Sequence, residues 1–101
     1  MDQMDEKTRR NDYKSNKGVA MWFTKHGVDM KKMHISCIKG HAHIRGELLF
    51  EMASASKYEG ADSQAQLIAK LERGIASVPG IRSVRLELAG WQKTGKSWGQ
   101  K

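Results

Sequence analysis

The sequence is short of residues that staple a fold or carry it across a membrane. One cysteine, Cys37, among 101 residues excludes an intrachain disulfide and a thiolate-rich zinc site. Its place inside an alternating apolar run suits a small buried hydrophobe better than a reactive thiol. The one proline, Pro79, precedes Gly80 and supplies a firm helix stop in the second half of the chain. No apolar run approaches the roughly 20 residues that span a bilayer. The opening MDQMDEKTRR is charged throughout, with no apolar stretch of signal-peptide type, so a cytoplasmic location is expected, with peripheral membrane contact open to it. Neither a GxxxxGK[ST] phosphate loop nor an HExxH metal motif occurs, and TGKS at 94–97 lacks the earlier glycine and the preceding strand.

What remains is enough for one small domain. Hydrophobic residues make up 39% and charged residues 29%, slightly apolar-poor, so some of the chain is expected to stay unpacked. The net charge of +7 is uneven: residues 1–32 carry +3, residues 33–62 carry −1 and residues 63–101 carry +5. Cationic ends around a near-neutral centre favour an anionic partner, whether nucleic acid, lipid headgroups or an acidic protein surface.

Periodicity divides the chain. Residues 1–11 are polar without a period and read as a flexible arm, residues 12–91 as the single domain, and residues 92–101 as a basic, tryptophan-bearing tail. Val19, Trp22, Phe23 and His26 share one helical face that Gly27 ends. Met33, Ile35 and Cys37 then alternate with His34 and Ser36. After Lys39-Gly40 a second alternation runs from Ala42 to Met52. A two-residue turn at Lys39-Gly40 puts Ile35 opposite Ile44 and Cys37 opposite Ala42, apolar against apolar. The small polar stretch 53–62 is a connection. Ser63 and Gln66 form a capping box for a helix whose stripe is Leu67, Ile68, Leu71, Ile75 and Val78. Val84, Leu86 and Leu88 mark a third strand. The expectation is an α+β fold, helix-strand-strand-helix-strand, with two helices on one face of a small three-stranded mixed sheet.

These residues resemble a known pattern. GHAHIRGELLF resembles the "G-x-v-x-L-x-G-x-V" hairpin of the BON domain, and SVPGIRSVRLEL resembles that family's "v-x-G-V-x-x-V-x-n-x-L" helix end and last strand. Gly40, Gly46, Gly80, Val84 and Leu88 occupy the marked positions, and GVD at 27–29 followed by MHISCI is similar to the family's lead-in. The resemblance covers roughly residues 15–88. It implies a non-enzymatic binding or tethering domain, often one at phospholipid surfaces or in larger envelope assemblies, with no catalytic residues to carry over. The link before the second helix is longer than is usual in that family, and the export signal many of its members carry is missing.

The candidate site residues are few. His34, Ile38, His41, His43 and Arg45 fall on the sheet face away from the core. His34, His41 and His43, with Glu47 in reach, are weighed as a metal set, but zinc wants further ligands and a supporting shell. Ser36 opposite His43 is weighed as a nucleophile and base, but it lacks a third orienting group. A solvated or partner-facing sheet surface is the better reading, and neither cofactor nor metal is expected. In the tail, Trp91 and Trp98 among Lys93, Lys96 and Lys101 suit a headgroup boundary or stacking on single-stranded bases. The function expected is a non-enzymatic module attaching to an anionic membrane surface or a larger protein assembly, with the open sheet face also open to self-association. The alternative is a small basic nucleic-acid-binding protein.

Overall fold

The computed structural model describes residues 6–95 and 97–101, with side chains from Asp12 onward except that of Ala53. The first helix, α1 (Glu6–Lys25), turns its periodic face inward: Val19 and Phe23 are fully buried, and Trp22 and His26 are half-buried. Removing a side chain such as Phe23 from water contributes about 1.5–3 kcal/mol. The helix begins at Glu6, inside the segment expected as an arm. Glu6, Lys7, Arg9 and Arg10 are good helix formers that extend the nucleus formed by the packed half. Gly27 ends it at φ 75°, a conformation that glycine adopts without a Cβ penalty.

A short strand, β1 (Val28–Asp29), leads into a single 3-10 turn at Met30–Lys32, which the Asp29 carboxylate caps by accepting from the Lys31 N–H at 2.9 Å. Then β2 (Met33–Ile38) and β3 (His41–Gly46) pair antiparallel, with Ile35 opposite Ile44 and Cys37 opposite Ala42, the register that alternation demands. Lys39 and Gly40 both have positive φ, 52° and 83°, the twist-matched hairpin turn. Lysine has no ease in that region, and α1 supplies the compensation. The buried Asp12 carboxylate accepts the Lys39 N–H at 2.8 Å and the Gly40 N–H at 3.1 Å. Asn16, one turn further along α1, donates to the Ile35 carbonyl at 3.2 Å.

The second alternation does not run straight on to Met52. Strand β3 stops at Gly46, where φ is 145° and a Cβ would overlap the Lys32 carbonyl oxygen. Beyond it, β4 (Leu49–Phe50) pairs with β1 in a separate two-stranded sheet. Met52, expected to face the core, is 95% exposed. A one-turn helix, α2 (Met52–Ala55), and a 3-10 turn at Ser56–Tyr58 fill the connection. The next helix, α3 (Ala61–Ala76), starts after Gly60, so Ser63 sits inside its first turn and not at the cap. The Ser63 hydroxyl donates instead to the Lys57 carbonyl at 3.3 Å. Of the expected apolar stripe, Leu67, Ile68, Leu71 and Ile75 are buried as their spacing predicts, while Val78 lies past the end of α3 and is half-buried.

Past Pro79, Gly80 reverses the chain at φ 90° into β5 (Ser83–Leu88), which lies parallel to β3 and completes a mixed sheet of order β2-β3-β5. The two glycine turns touch: Arg82 N–H donates to the Gly40 carbonyl at 2.6 Å, and a Cβ on Gly40 would stand 2.6 Å from the Gly80 oxygen. Buried Ser15 binds the same corner, donating to the Pro79 carbonyl at 3.0 Å. Helices α1 and α3 cover one face of the sheet, where Met33, Ala42, Ile44, Leu86 and Leu88 join the core. The last segment is not a loose tail. It folds into a hairpin, β6 (Trp91–Thr94) with β7 (Ser97–Gln100), that packs against α3 and buries both Trp91 and Trp98.

Candidate functional site

The uncovered sheet face carries three rows of side chains across β2, β3 and β5. They are His34, Arg45 and Glu87; Ser36, His43 and Arg85; and Ile38, His41 and Ser83. Strand alternation puts all nine on the side opposite the helices. His41 and Ser83 are joined by a 2.7 Å Nδ1···Oγ hydrogen bond. His43 turns toward β5, its Nε2 standing 3.3 Å from Glu87 Oε2 but finding no in-line hydrogen-bond acceptor, so the contact is chiefly one of charge when the ring is protonated. Arg85 reaches the other Glu87 oxygen at 2.8 Å. The His43 contact first, then the positive charges of Arg85 and Arg45, hold the Glu87 carboxyl below the usual carboxylate range.

The three histidines do not converge. Among the described residues, no three His, Cys, Asp or Glu side chains come together to hold a metal ion. Ser36 and His43 are cross-strand neighbours, yet His43 engages Glu87. Cys37 faces the helices half-buried, and burial pushes its thiol pKa up, away from the reactive thiolate.

At the carboxyl ends of β3 and β5 the face opens into a groove of about 800 Å³, bounded on its far side by the β6–β7 hairpin. Lys31, Lys32, His34, Arg45 and Lys101 line it together with the carboxylates Glu47 and Glu87. Glu47 lies 3.9 Å from Lys32 and Glu87 is engaged by Arg85 and His43. Lys31, Arg45 and Lys101 have no carboxylate in ion-pair range among the described residues. The groove therefore offers more cation than it neutralises. Lys31 and Lys32, in the 3-10 turn before β2, and Arg85, on β5, were not among the expected binding residues. Their signal is a dibasic step just ahead of a strand, and a charged outward position on the third strand.

The expected tail site is reorganised. Trp91 and Trp98 are 7% and 8% exposed, so neither indole face is free to stack on a base or lie among headgroups. Lys93 is tied to Glu72 on α3 at 2.9 Å, and Lys96 lies outside the described residues. Ile38 is exposed beside the turn, while Leu49 belongs to the separate β1–β4 sheet. The two therefore form no common apolar patch. No described helix is long and apolar enough to cross a membrane. No protein-family model matches the chain, and neither does a curated protein or a solved structure.

Proposed function

We propose that this chain is a non-enzymatic binding module that attaches to an anionic phospholipid surface through its open sheet face and the adjoining groove. The observation that carries the reading is the gathering of Lys31, Lys32, Arg45 and Lys101 around one open concavity, with Arg85 continuing the positive surface along the face. Each cation near an anionic bilayer contributes about 1 kcal/mol. With Glu47 and Glu87 subtracting, a net attraction on the order of 2–3 kcal/mol follows, weakened as salt screens it. The buried tryptophans supply no wedge, so the attachment is peripheral and reversible.

The similarity to the BON pattern supports the same reading, since that family's role is attachment and not chemistry. A nucleic-acid role is less well supported. Single-strand binders combine cations with aromatic stacking platforms, and the nine residues of the open face include no Phe, Tyr or Trp. Co-sedimentation with vesicles, neutral against about one-third anionic phospholipid, tests the proposal at low and physiological salt. Retention on the anionic vesicles alone, falling with salt, is expected. Equal behaviour on both vesicles, or salt-dependent capture by duplex or single-stranded nucleic acid in their place, overturns it.

A further inference from the structure

The mixed sheet has two edges, and the fold treats them differently. Strand β2 is guarded by α1: Asn16 takes the Ile35 carbonyl and Asp12 takes the N–H groups of the turn. Strand β5 has no such guard among the described residues. In a parallel ladder both polar groups of a residue point to the same side, and the side alternates along the strand. Ala89 N–H donates to the Gly46 carbonyl at 2.8 Å and Ser83 N–H to the Gly40 carbonyl at 3.4 Å. With Gly46 opposite Leu88 and Ala42 opposite Val84, the polar groups of Ser83, Arg85 and Glu87 turn toward β3. Those of Val84, Leu86 and Leu88 turn outward, and among the described residues nothing bonds to them. The hairpin does not take their place, because β6 and β7 pair only with each other, and the groove reaches Leu86, Glu87 and Leu88.

We infer that this edge is a homodimer contact, in which β5 pairs antiparallel with β5 of a second copy. The outward groups choose the register. A hydrogen-bonded antiparallel pairing must set outward-turned residues against one another, and the centred one places Leu86 opposite the partner's Leu86 and Val84 opposite the partner's Leu88. About six ladder hydrogen bonds then form. In that register Arg85 stands directly across from the partner's Glu87 on the open face, and the two-fold repeats the pair. Slipping by two residues sets Arg85 against the partner's Arg85, or Glu87 against the partner's Glu87. Only the centred register joins opposite charges, with Val84, Leu86 and Leu88 meeting apolar partners on the covered side. The product is a continuous six-stranded sheet, β2-β3-β5 from each copy, whose open face is one surface. This contact runs along the β5 edge, shares Arg85 and Glu87 with the open face and borders the groove, and it forms without lipid.

Sedimentation equilibrium of the full chain in lipid-free buffer, from micromolar to millimolar protein, tests it. A concentration-dependent dimer is expected. Arg85→Glu should weaken the dimer by about tenfold or more, because two cross-strand pairs turn from attractive to repulsive, and Arg85→Glu with Glu87→Arg should restore it. Hydrogen exchange on the unaltered protein gives a reading that needs no variant: the Val84, Leu86 and Leu88 amides should gain protection as concentration rises. A monomer throughout the range, a dimer in which those amides stay unprotected, or a folded double variant that fails to restore association overturns the inference.

Discussion

The most informative single perturbation is Asp12→Ala. Asp12 is 9% exposed, and its two oxygens hold the N–H groups of Lys39 and Gly40 at 2.8 and 3.1 Å. Truncation leaves both donors without an acceptor at the one turn that sets the β2–β3 register. A hydrogen bond to a charged group is worth about 1.5–3 kcal/mol net. Water can reach the Lys39 side more readily than the Gly40 side, whose bond is buried, so the two losses do not simply add. We expect about 3 kcal/mol in all, a large share of the 5–15 kcal/mol that holds a domain together. For a chain of this size that lowers Tm by about 10–20 °C. Thermal and urea denaturation followed by circular dichroism reads the change. Asp12→Asn serves as the control: it keeps one carbonyl oxygen but sets an amide NH2 against the second backbone donor, so it should recover less than half of the loss. A Tm for Asp12→Ala within about 2 °C of the unaltered protein refutes the clamp, since that corresponds to less than 0.5 kcal/mol.

Further substitutions test the turns and the half-buried His26. Lys39→Asn, which suits the left-handed conformation at φ 52°, should raise stability by about 0.5–1 kcal/mol in urea melts; a loss would show that the lysine side chain has a structural role. Gly46→Ala places a methyl group on the Lys32 carbonyl at φ 145° and should cost about 3 kcal/mol or more, whereas Gly90→Ala, with open space around it, should cost less despite its own positive φ. His26 stacks on Trp22 with ring centres 6.0 Å apart, and its Nδ1 lies 3.4 Å from the Tyr58 hydroxyl. Burial first, then Lys70 and Lys25, lower its pKa below the usual 6.5. The unfolded chain thus takes up the proton at higher pH than the folded one, and stability declines as pH falls from 6.5 toward the lowered native value. His26→Gln should flatten that decline in urea midpoints compared at about pH 7.5 and about pH 5.5, and an unchanged slope would assign the decline to other groups.

Much of this fold is legible in the residues because burial imposes a period. The β2–β3 register follows from Ile35, Cys37, Ala42 and Ile44 needing one side of a ladder, and α3 follows from a stripe at helical spacing. What escapes are elements whose order is tertiary. Residues 6–11 are polar without a period, so nothing in the sequence marks the first turns of α1. The β6–β7 hairpin buries one tryptophan per strand, too few for an alternation to show, and its stability comes from packing on α3. The break at Gly46 is invisible to alternation because Leu48 and Phe50 continue the same phase; a collision with the Lys32 carbonyl decides it. The candidate site was readable in part. Parity alone puts His34, His41, His43 and Arg45 on the open face. Lys31, Lys32 and Lys101 join Arg45 only because the 3-10 turn and the final strand end beside it, a proximity between distant positions that one sequence does not encode visibly.

Mapping where an anionic bilayer touches the chain decides whether the cationic groove is the membrane contact. In amide nuclear magnetic resonance spectra recorded with anionic lipid nanodiscs, shifts and broadening should be concentrated at Lys31, Lys32, His34, Arg45 and Lys101. The Met21, Trp22 and Val78 amides around the apolar cleft between α1 and the end of α3 should be unmoved. Perturbation centred on that cleft, or an unaltered spectrum at saturating anionic lipid, contradicts that assignment.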